Sequence, residues 1–339
     1  MSKKITLSDV AAYADTSVKT ASRVINGDEK VAPETRVRVE AAVLALGYRV
    51  DLLARSLRKG VDDVIAVVVP SIGDKFFATA IEEIEAVALE RDTQIIIASN
   101  HQDPAKEKQI IRQLEQRRVS GLVIVPNSAD YSFMSFSPTP VVFFDRVANN
   151  FEADVVRVDD IFGAQLATEH LISQGHRRIA VISDSLGIKT AELRVEGYKK
   201  ALQKNGIPID NRLIQMGAHT VDDGERTTQE LLINAPDVTA ILSLRSLSSM
   251  GTVRALHAMN RIDIALISYG DFEMAKVISP KISVIDHSPR ELGRLVAHQI
   301  FKRIDGDVSA PQEILGTLSI IRRGSAEISP KEVRSVVAG

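Results

Sequence analysis

The chain has 339 residues, 45% of them hydrophobic and 25% charged, and a net charge of −2. That length suits two or three domains, and a charge so near zero excludes a general polyanion binder. With no cysteine in the chain, a disulfide framework, a thiolate nucleophile and a Cys-ligated metal are excluded as well. No apolar run reaches the roughly 18 residues of a membrane span. The opening residues MSKKITLSDVAAYADT lack the apolar core of a secretion signal, so a cytoplasmic protein is expected. Five Tyr, ten Phe and no Trp argue against an aromatic platform for single-stranded nucleic acid. Charge is uneven. Residues 1–60 carry eleven Lys and Arg against seven Asp and Glu, so +4, and the remainder carries −6. A basic head on an acidic body fits a polyanion partner for the head alone.

Residues Ile5 to Asn26 read as two short helices and a turn. Thr6 or Ser8 caps the first helix, its hydroxyl accepting from an unpaired N–H of the first turn. Leu7, Val10, Ala11 and Ala14 share one face. Asp15-Thr16 turns the chain, and Ser17 caps a second helix whose buried stripe is Ala21, Val24 and Ile25. Val18, Lys19, Ser22, Arg23 and Asn26 then look outward. Such a donor-rich face suits a major groove lined with acceptors, and a helix-turn-helix presents its second helix in this way. A third helix is expected over Pro33 to Leu46, with Val37, Ala41, Leu44 and Ala45 as its apolar face. The segment Tyr48 to Gly60 is basic and amphipathic. Asp51 can cap a helix of about two turns with Leu53, Ala54 and Leu57 along one side. Alone, a helix this short is marginal in water, so it is expected to order only on DNA or a second copy.

From Val61 the pattern becomes strand-helix alternation. Apolar runs at Val64–Val69, Gln94–Ala98, Leu122–Val125 and Val141–Phe144 read as strands, with helices at Phe76–Arg91 and Ala105–Gln116. The alternation then restarts. Strands are expected at Arg178–Ile182, Leu213–Met216, Ala240–Leu244, Asp263–Ile267 and Ile282–Ile285. Helices are expected at Glu192–Asn205, Gly224–Asn234, Met250–Met259 and Arg290–Arg303. Unbroken Val/Ile runs indicate parallel strands buried on both faces. Two doubly wound lobes leave a cleft between them, and ligands bind beyond the carboxyl ends of parallel strands. The expected cleft residues are Ser71 to Phe77, Asn100, Asp145, Arg146, Lys189 to Arg194, Arg245, Ser246, and Tyr269 to Asp271. No G-x-S-x-G, Walker, H-E-x-x-H or G-x-G-x-x-G motif occurs, so no enzyme, cofactor or metal site is expected. His170 and His176 read as a helix cap and a surface residue. Asp159-Asp160 reads as negative charge at a helix N-terminus. Of Phe76 and Phe77, one ring is expected in the core and one on the cleft wall.

Taken together these segments resemble the lactose-repressor (LacI/GalR) family of bacterial transcription regulators over nearly the whole chain. The resemblance rests on T-L-S-D-V-A-A-Y-A followed by S-V-K-T-A-S-R-V-I-N, on A-P-E-T-R-V-R-V-E at 32–40, L-G-Y at 46–48 and L-A-R-S-L-R at 53–58. In the body it rests on F-F-A at 76–78, F-D-R at 144–146, G-H-R-R-I-A at 175–180, R-V-E-G-Y at 194–198 and E-L-G at 291–293. It implies an all-α helix-turn-helix head at 1–47, a hinge at 48–61, and an α/β two-lobed core at 62–339 like that of periplasmic binding proteins. The first lobe is expected at about 62–162 plus 292–322, the second at about 163–291 plus 323–339.

The resemblance also implies roles. Val18, Lys19 and Ser22 face base edges, with Thr20 on the same helix, and Arg23 faces bases or backbone. Thr6, Ser17, Asn26, Thr35 and Tyr48 touch phosphates and fix register. Leu57 wedges into the minor groove, and Ala54 packs against its mate in a homodimer on a pseudo-palindromic operator. The tail Pro330 to Gly339 has no sustained heptad, which argues against a coiled-coil tetramer. In the cleft, Ser71, Asp74, Phe76, Phe77, Asp145, Arg146, Lys189, Thr190, Arg194, Arg245, Asp271 and His287 are the expected effector contacts.

There are departures from the family pattern. Asp15 replaces a turn glycine, and Val50-Asp51 replaces Pro-Asn in the hinge. Arg245-Ser246 stands where sugar binders carry Asn-Asp, and Gly270 where they carry an aspartate. Asp74-Lys75 stands in place of Asn-Pro. A gained guanidinium and a lost carboxylate suit an anion such as a sugar phosphate or sugar acid. Arg245 paired with Asp74 or Asp271 would instead leave a neutral sugar site. A solute-binding protein of a transporter, which shares the two-lobed core, is the competing reading; it predicts an export signal and no basic head.

Overall fold

Thr6 and Asp9 close a reciprocal cap at the start of the chain's first helix. The Asp9 N–H donates to Thr6 Oγ1 at 3.3 Å and the Thr6 N–H to Asp9 Oδ2 at 2.7 Å. This computed structural model describes residues 5–25, 27–28, 30–48, 62–128, 130–135 and 137–330. They fall into two units, 1–62 and 63–339. The first holds α1 (Leu7–Tyr13), α2 (Val18–Ile25) and α3 (Pro33–Leu46). Asp15 turns between α1 and α2 at φ 51, a left-handed geometry that Asp tolerates better than most residues. Ser17 Oγ accepts from the Thr20 N–H at 3.1 Å and caps α2. Val10, Ala11, Ala14, Ala21, Val24, Val31, Val39 and Ala42 form the core, with Leu7, Ile25, Val43 and Leu46 packed around it.

The third helix turns a different face inward from the one its spacing suggests. Val37 and Leu44 are 64% and 83% exposed, and Val39 and Ala42 are buried instead. This helix carries apolar residues on more than one side, so its period fits two faces equally well. Contact with α1 and α2 selects between them.

The second unit contains two six-stranded sheets. The first comprises β1 (Asp62–Val69), β2 (Gln94–Ser99), β3 (Val119–Ile124), β4 (Val141–Phe144), β5 (Asp154–Arg157) and β11 (Glu313–Leu315), in the order β11-β5-β4-β3-β1-β2. The second comprises β6 (Ile179–Ile182), β7 (Ile214–Gln215), β8 (Ala240–Ser243), β9 (Ala265–Tyr269), β10 (Ser283–Asp286) and β12 (Ser319–Ile321), in the order β12-β10-β9-β8-β6-β7. β12 runs antiparallel to β10. Around the first sheet pack α4 (Lys75–Leu89), α5 (Pro104–Gln116) and α10 (Pro289–Ile304); around the second pack α6 (Asp160–Ser173), α7 (Lys189–Lys204), α8 (Val221–Asn234) and α9 (Ser246–Ala258).

Several helices begin earlier than their apolar spacing indicates, because their first turns are polar and held by caps. Asp74, Asp103, Thr220 and Ser288 each accept a backbone N–H there. β2 is an edge strand, with Ile97 44% exposed, and not a strand buried on both faces. Beyond the expected strands the chain forms β5, whose Asp-Val-Val-Arg offers too short an apolar run to stand out, and the three-residue strands β11 and β12.

Among the described residues the chain passes between the lobes three times, from β5 to α6, from β10 to α10 and from β11 to β12. The last passage corrects the expected boundary at residue 322, since β12 at Ser319–Ile321 already pairs with β10.

The two histidines beside α6 also differ from expectation. His176 is fully buried, its ring nitrogens 3.0 Å from Thr239 Oγ1 and 2.8 Å from the Ile328 carbonyl oxygen. Burial lowers its pKa, opposed by the Ile328 bond. His170 lies 2.9 Å from Glu327 Oε1. Both pin the 325–328 segment to the second lobe.

Candidate functional site

On the head, α2 presents Val18, 46% exposed, and Lys19, also exposed. Ser22 is half-buried beside them, and Thr20 is half-buried with its hydroxyl 2.8 Å from that of Ser17. Arg23 Nε donates to Asp28 Oδ2 at 2.8 Å, so within the head this cation has an internal partner. Asp28 holds the loop further: its carboxylate accepts from the Lys30 N–H at 3.0 Å and its carbonyl from Arg36 Nη2 at 2.8 Å. Thr6 is exposed; Thr35 and Tyr48 are half-buried. Asn26, Ala54 and Leu57, with the rest of the expected hinge beyond Tyr48, lie outside the described residues.

In the second unit, a cavity of about 570 Å³ lies between the lobes at the carboxyl ends of the parallel strands. Of the expected contacts it brings together Asp74, Phe76, Phe77, Asp145, Arg146, Thr190, Arg194, Arg245, Asp271 and His287. It leaves out Ser71, whose hydroxyl accepts from the Gly73 N–H at 3.1 Å. It also leaves out Lys189, which is 61% exposed and 3.6 Å from Glu192. Asn100 is buried away from the cavity, donating to Glu107 at 2.6 Å.

Two aromatic layers form one wall. Phe77 is buried in the first lobe's core, while Phe76 stacks on Phe144 at 5.8 Å and on His287 at 4.9 Å between ring centroids. His287 is buried, and burial, with the nearby Arg194 charge acting the same way, pushes its pKa down to about 3. Its ring is therefore neutral near neutral pH. Gly270 sits at φ 91, and a Cβ added there would meet His287 Cε1 at 3.2 Å. The imidazole fills the space beside the glycine.

The floor carries paired charges. Arg194 donates through Nε to Asp160 Oδ1 at 2.6 Å and through Nη1 to the Leu244 carbonyl at 2.8 Å. Its guanidinium lies 4.0 Å over the Tyr269 ring. Burial raises the Asp160 carboxyl, and the Arg194 guanidinium, which keeps its proton, opposes that shift. Asp145, held at φ 68 at the end of β4, stands 3.4 Å from Arg146. Asp271 is gripped by both arms of Arg323, each at 2.7 Å. Burial raises its carboxyl, but the Arg323 bonds and charge outweigh this and hold it below the usual range.

Arg245 is also paired. It donates through Nη2 to Asp74 Oδ2 at 2.8 Å and through Nη1 to Asp184 Oδ2 at 2.6 Å. Burial raises Asp184, but the hydrogen bond from His219 and the Arg245 charge bring it below the ordinary carboxylate range.

Asp160, Asp184 and Arg323 stand outside the expected cleft residues, yet each grips one of them: Arg194, Arg245 and Asp271 in turn. Asp160 looked like an ordinary helix-start carboxylate. Asp184 follows β6 directly, so the rule that ligands gather beyond strand ends points to it. Arg323 is far along the chain and gave no local signal. Among the described residues no cluster of three or more His, Asp or Glu is placed to hold a metal, and no helix is long and apolar enough to cross a membrane.

A small helical head and a two-lobed core closing on a polar, aromatic-walled cavity define a ligand-responsive DNA-binding regulator. Residues 6–51 match the family described as bacterial regulatory proteins, lacI family, and residues 62–323 match periplasmic binding proteins and the sugar binding domain of the LacI family. The chain belongs to the LacI family of transcription regulators, and it is not an enzyme. It is 32% identical to the HTH-type transcriptional regulator GalR of Escherichia coli K12, over 83% of each chain. Among solved structures, the lac repressor dimer bound to operator and the anti-inducer ONPF is 25% identical with a TM-score of 0.86, over 96% of this chain and 99% of that one. The complex of the transcriptional regulator CelR with cellobiose is 28% identical with a TM-score of 0.71, over 95% and 99%.

Proposed function

We propose that this regulator represses transcription in the cytoplasm as a homodimer on a pseudo-palindromic operator, and that a neutral carbohydrate in the cleft sets its operator affinity. Val18, Lys19 and Ser22 read base edges, and Arg23, held by Asp28, faces bases or backbone beside them. Thr6, Ser17, Thr35 and Tyr48 fix register. Leu57 wedges the operator centre and Ala54 packs against its mate.

The observation carrying the choice of effector is the double pairing of Arg245. A guanidinium engaged by Asp74 and Asp184 has no free charge to offer an anion, and Lys189 stands outside the cavity. The anionic reading drew on Arg245, Arg194 and Lys189; of these, Arg245 is doubly paired, Arg194 is paired with Asp160 and Lys189 stands outside the cavity. The cavity lining includes six carboxylates and six basic groups, a balance that favours a neutral, polyhydroxylated ligand. Phe76 offers a ring face to the apolar side of a sugar, and Asp145 with Arg194 offers acceptor and donor to its hydroxyls. A solved relative holds cellobiose, a neutral disaccharide.

Titration calorimetry with neutral mono- and disaccharides and with their phosphates tests the reading. Binding of a neutral sugar and none of its phosphate is expected; binding only of phosphates or sugar acids overturns it. A mobility shift with DNA upstream of the chain's own gene, with and without the sugar found, tests the regulatory half.

A further inference from the structure

Asp74 and Lys75 open α4 on the first lobe at the mouth of the cleft, and each meets an opposite charge on the second lobe. Lys75 pairs with Glu273 at the exposed outer edge. Inside it, Asp74 pairs with Arg245, their side chains only 9% and 17% exposed. Gln102 Nε2 of the first lobe lies 3.3 Å from His219 Nε2 of the second, and His219 Nδ1 lies 2.8 Å from Asp184. The two inner contacts share one chain of partners, Asp74–Arg245–Asp184–His219–Gln102, which begins and ends on the first lobe.

Arg245 is suited to the centre of this chain. Its planar fork reaches two carboxylates at once, which an ammonium point charge does less well. Its backbone stands at the N-cap of α9, where a cation is unfavourable against the helix dipole, and the two carboxylates offset that cost. Asp74 has two tasks: Oδ1 accepts the Phe76 N–H at 3.0 Å and caps α4, while Oδ2 holds Arg245. The bridge therefore fastens the second lobe to the end of a first-lobe helix.

We infer that Arg245 is a built-in latch that holds the two lobes closed without any ligand, taking a bridging position that an effector would otherwise fill. A ligand shifts a conformational equilibrium only by its differential affinity for the two states. With closure already favoured by the latch, an effector that merely draws the lobes together changes little. One that displaces Asp74 or Asp184 from the guanidinium changes much. The inference concerns the empty cleft and holds whichever sugar binds.

Hydrogen exchange on the ligand-free full chain tests it. Wild type, D74N, R245Q and the double variant are compared at the rim amides 74–79 and 271–278, with 65–69 of β1 as the core reference. Each single variant is expected to speed rim exchange on both lobes by roughly tenfold, as loss of one partially buried pair implies, and the double variant no further. Core rates stay constant. Rim exchange unchanged in the single variants, or effects that multiply in the double variant, overturns the latch. If R245Q disturbs the core, R245K replaces it, keeping the charge but not the two-armed reach. An intermediate increase confined to the rim then supports the latch, and wild-type exchange in R245K overturns it.

Discussion

His287 lies against Phe76 with ring centroids 4.9 Å apart and 30° between their planes, and it meets Tyr269 at 5.2 Å. This aromatic stack has a cost in acid. The unfolded chain takes up the imidazole proton near 6.5, whereas burial and Arg194 delay uptake in the folded chain to about 3. Between those values the unfolded state binds more protons, so stability falls as pH drops through the window and levels off below it. Thermal unfolding of H287Q is expected to depend less on pH across this range than wild type. An equal slope would show that the ring is protonated without penalty.

Gly163 on α6 is where Tyr269 approaches the helix. A Cβ there would lie 2.6 Å from the Tyr269 hydroxyl. Gly163→Ala should displace that ring from beneath Arg194 and from Asp160, destabilising the core by about 1–3 kcal/mol as overpacking does. It should also weaken sugar binding, because Arg194 loses its support. Chemical denaturation and calorimetry measure the two effects separately.

Asp154 on β5 carries a buried ion pair of the first lobe. It accepts from Arg303 Nε at 2.6 Å and Nη2 at 2.8 Å, and from the Gln312 N–H at 2.8 Å, at 1% side-chain exposure. Burial raises the carboxyl, but its bonds to Arg303 and to the Gln312 N–H leave it lowered overall. Its contribution is present above the unfolded value of 3.8 and lost as pH falls through the lower folded value. Asp154→Asn strands a buried guanidinium and is expected to cost about 3–5 kcal/mol. It should also remove part of the acid sensitivity below pH 3.8. Urea midpoints at neutral and acid pH check both.

Arg23 and Asp28 form the charge pair nearest the reading face of α2. Asp28→Asn should free Arg23 for a phosphate. Log affinity for DNA then falls more steeply with log salt, by up to about 0.9 in slope for one added phosphate contact. An unchanged slope across a salt series would mean that Arg23 already leaves Asp28 on binding.

The parts that could be read from the sequence were those with a local rule behind them. Caps at Thr6 and Ser17, the turn at Asp15 and the Val/Ile strands follow from the chemistry of short stretches. So does the grouping of Asp145, Arg194 and Arg245, because strand ends in a parallel sheet converge. What failed was set by packing between distant segments. The inward face of α3 depends on α1 and α2. The burial of His176 depends on Ile328 and Thr239, and the pairing of Asp271 depends on Arg323. Arg245 shows the divide within one residue: its place in the cleft followed from β8, but its choice of Asp74 and Asp184 over a ligand needed both lobes in position.

Among the described residues three separate passages of chain join the lobes, after β5, after β10 and after β11. A single strand would let one lobe swivel, tumble and slide against the other. Three such strips anchored side by side behave like a door on several hinges, allowing a swing and resisting rotation or shear. Whatever closes the mouth at Arg245 is thereby converted into one mechanical coordinate, which gives a small molecule at one edge of the core a defined direction in which to push.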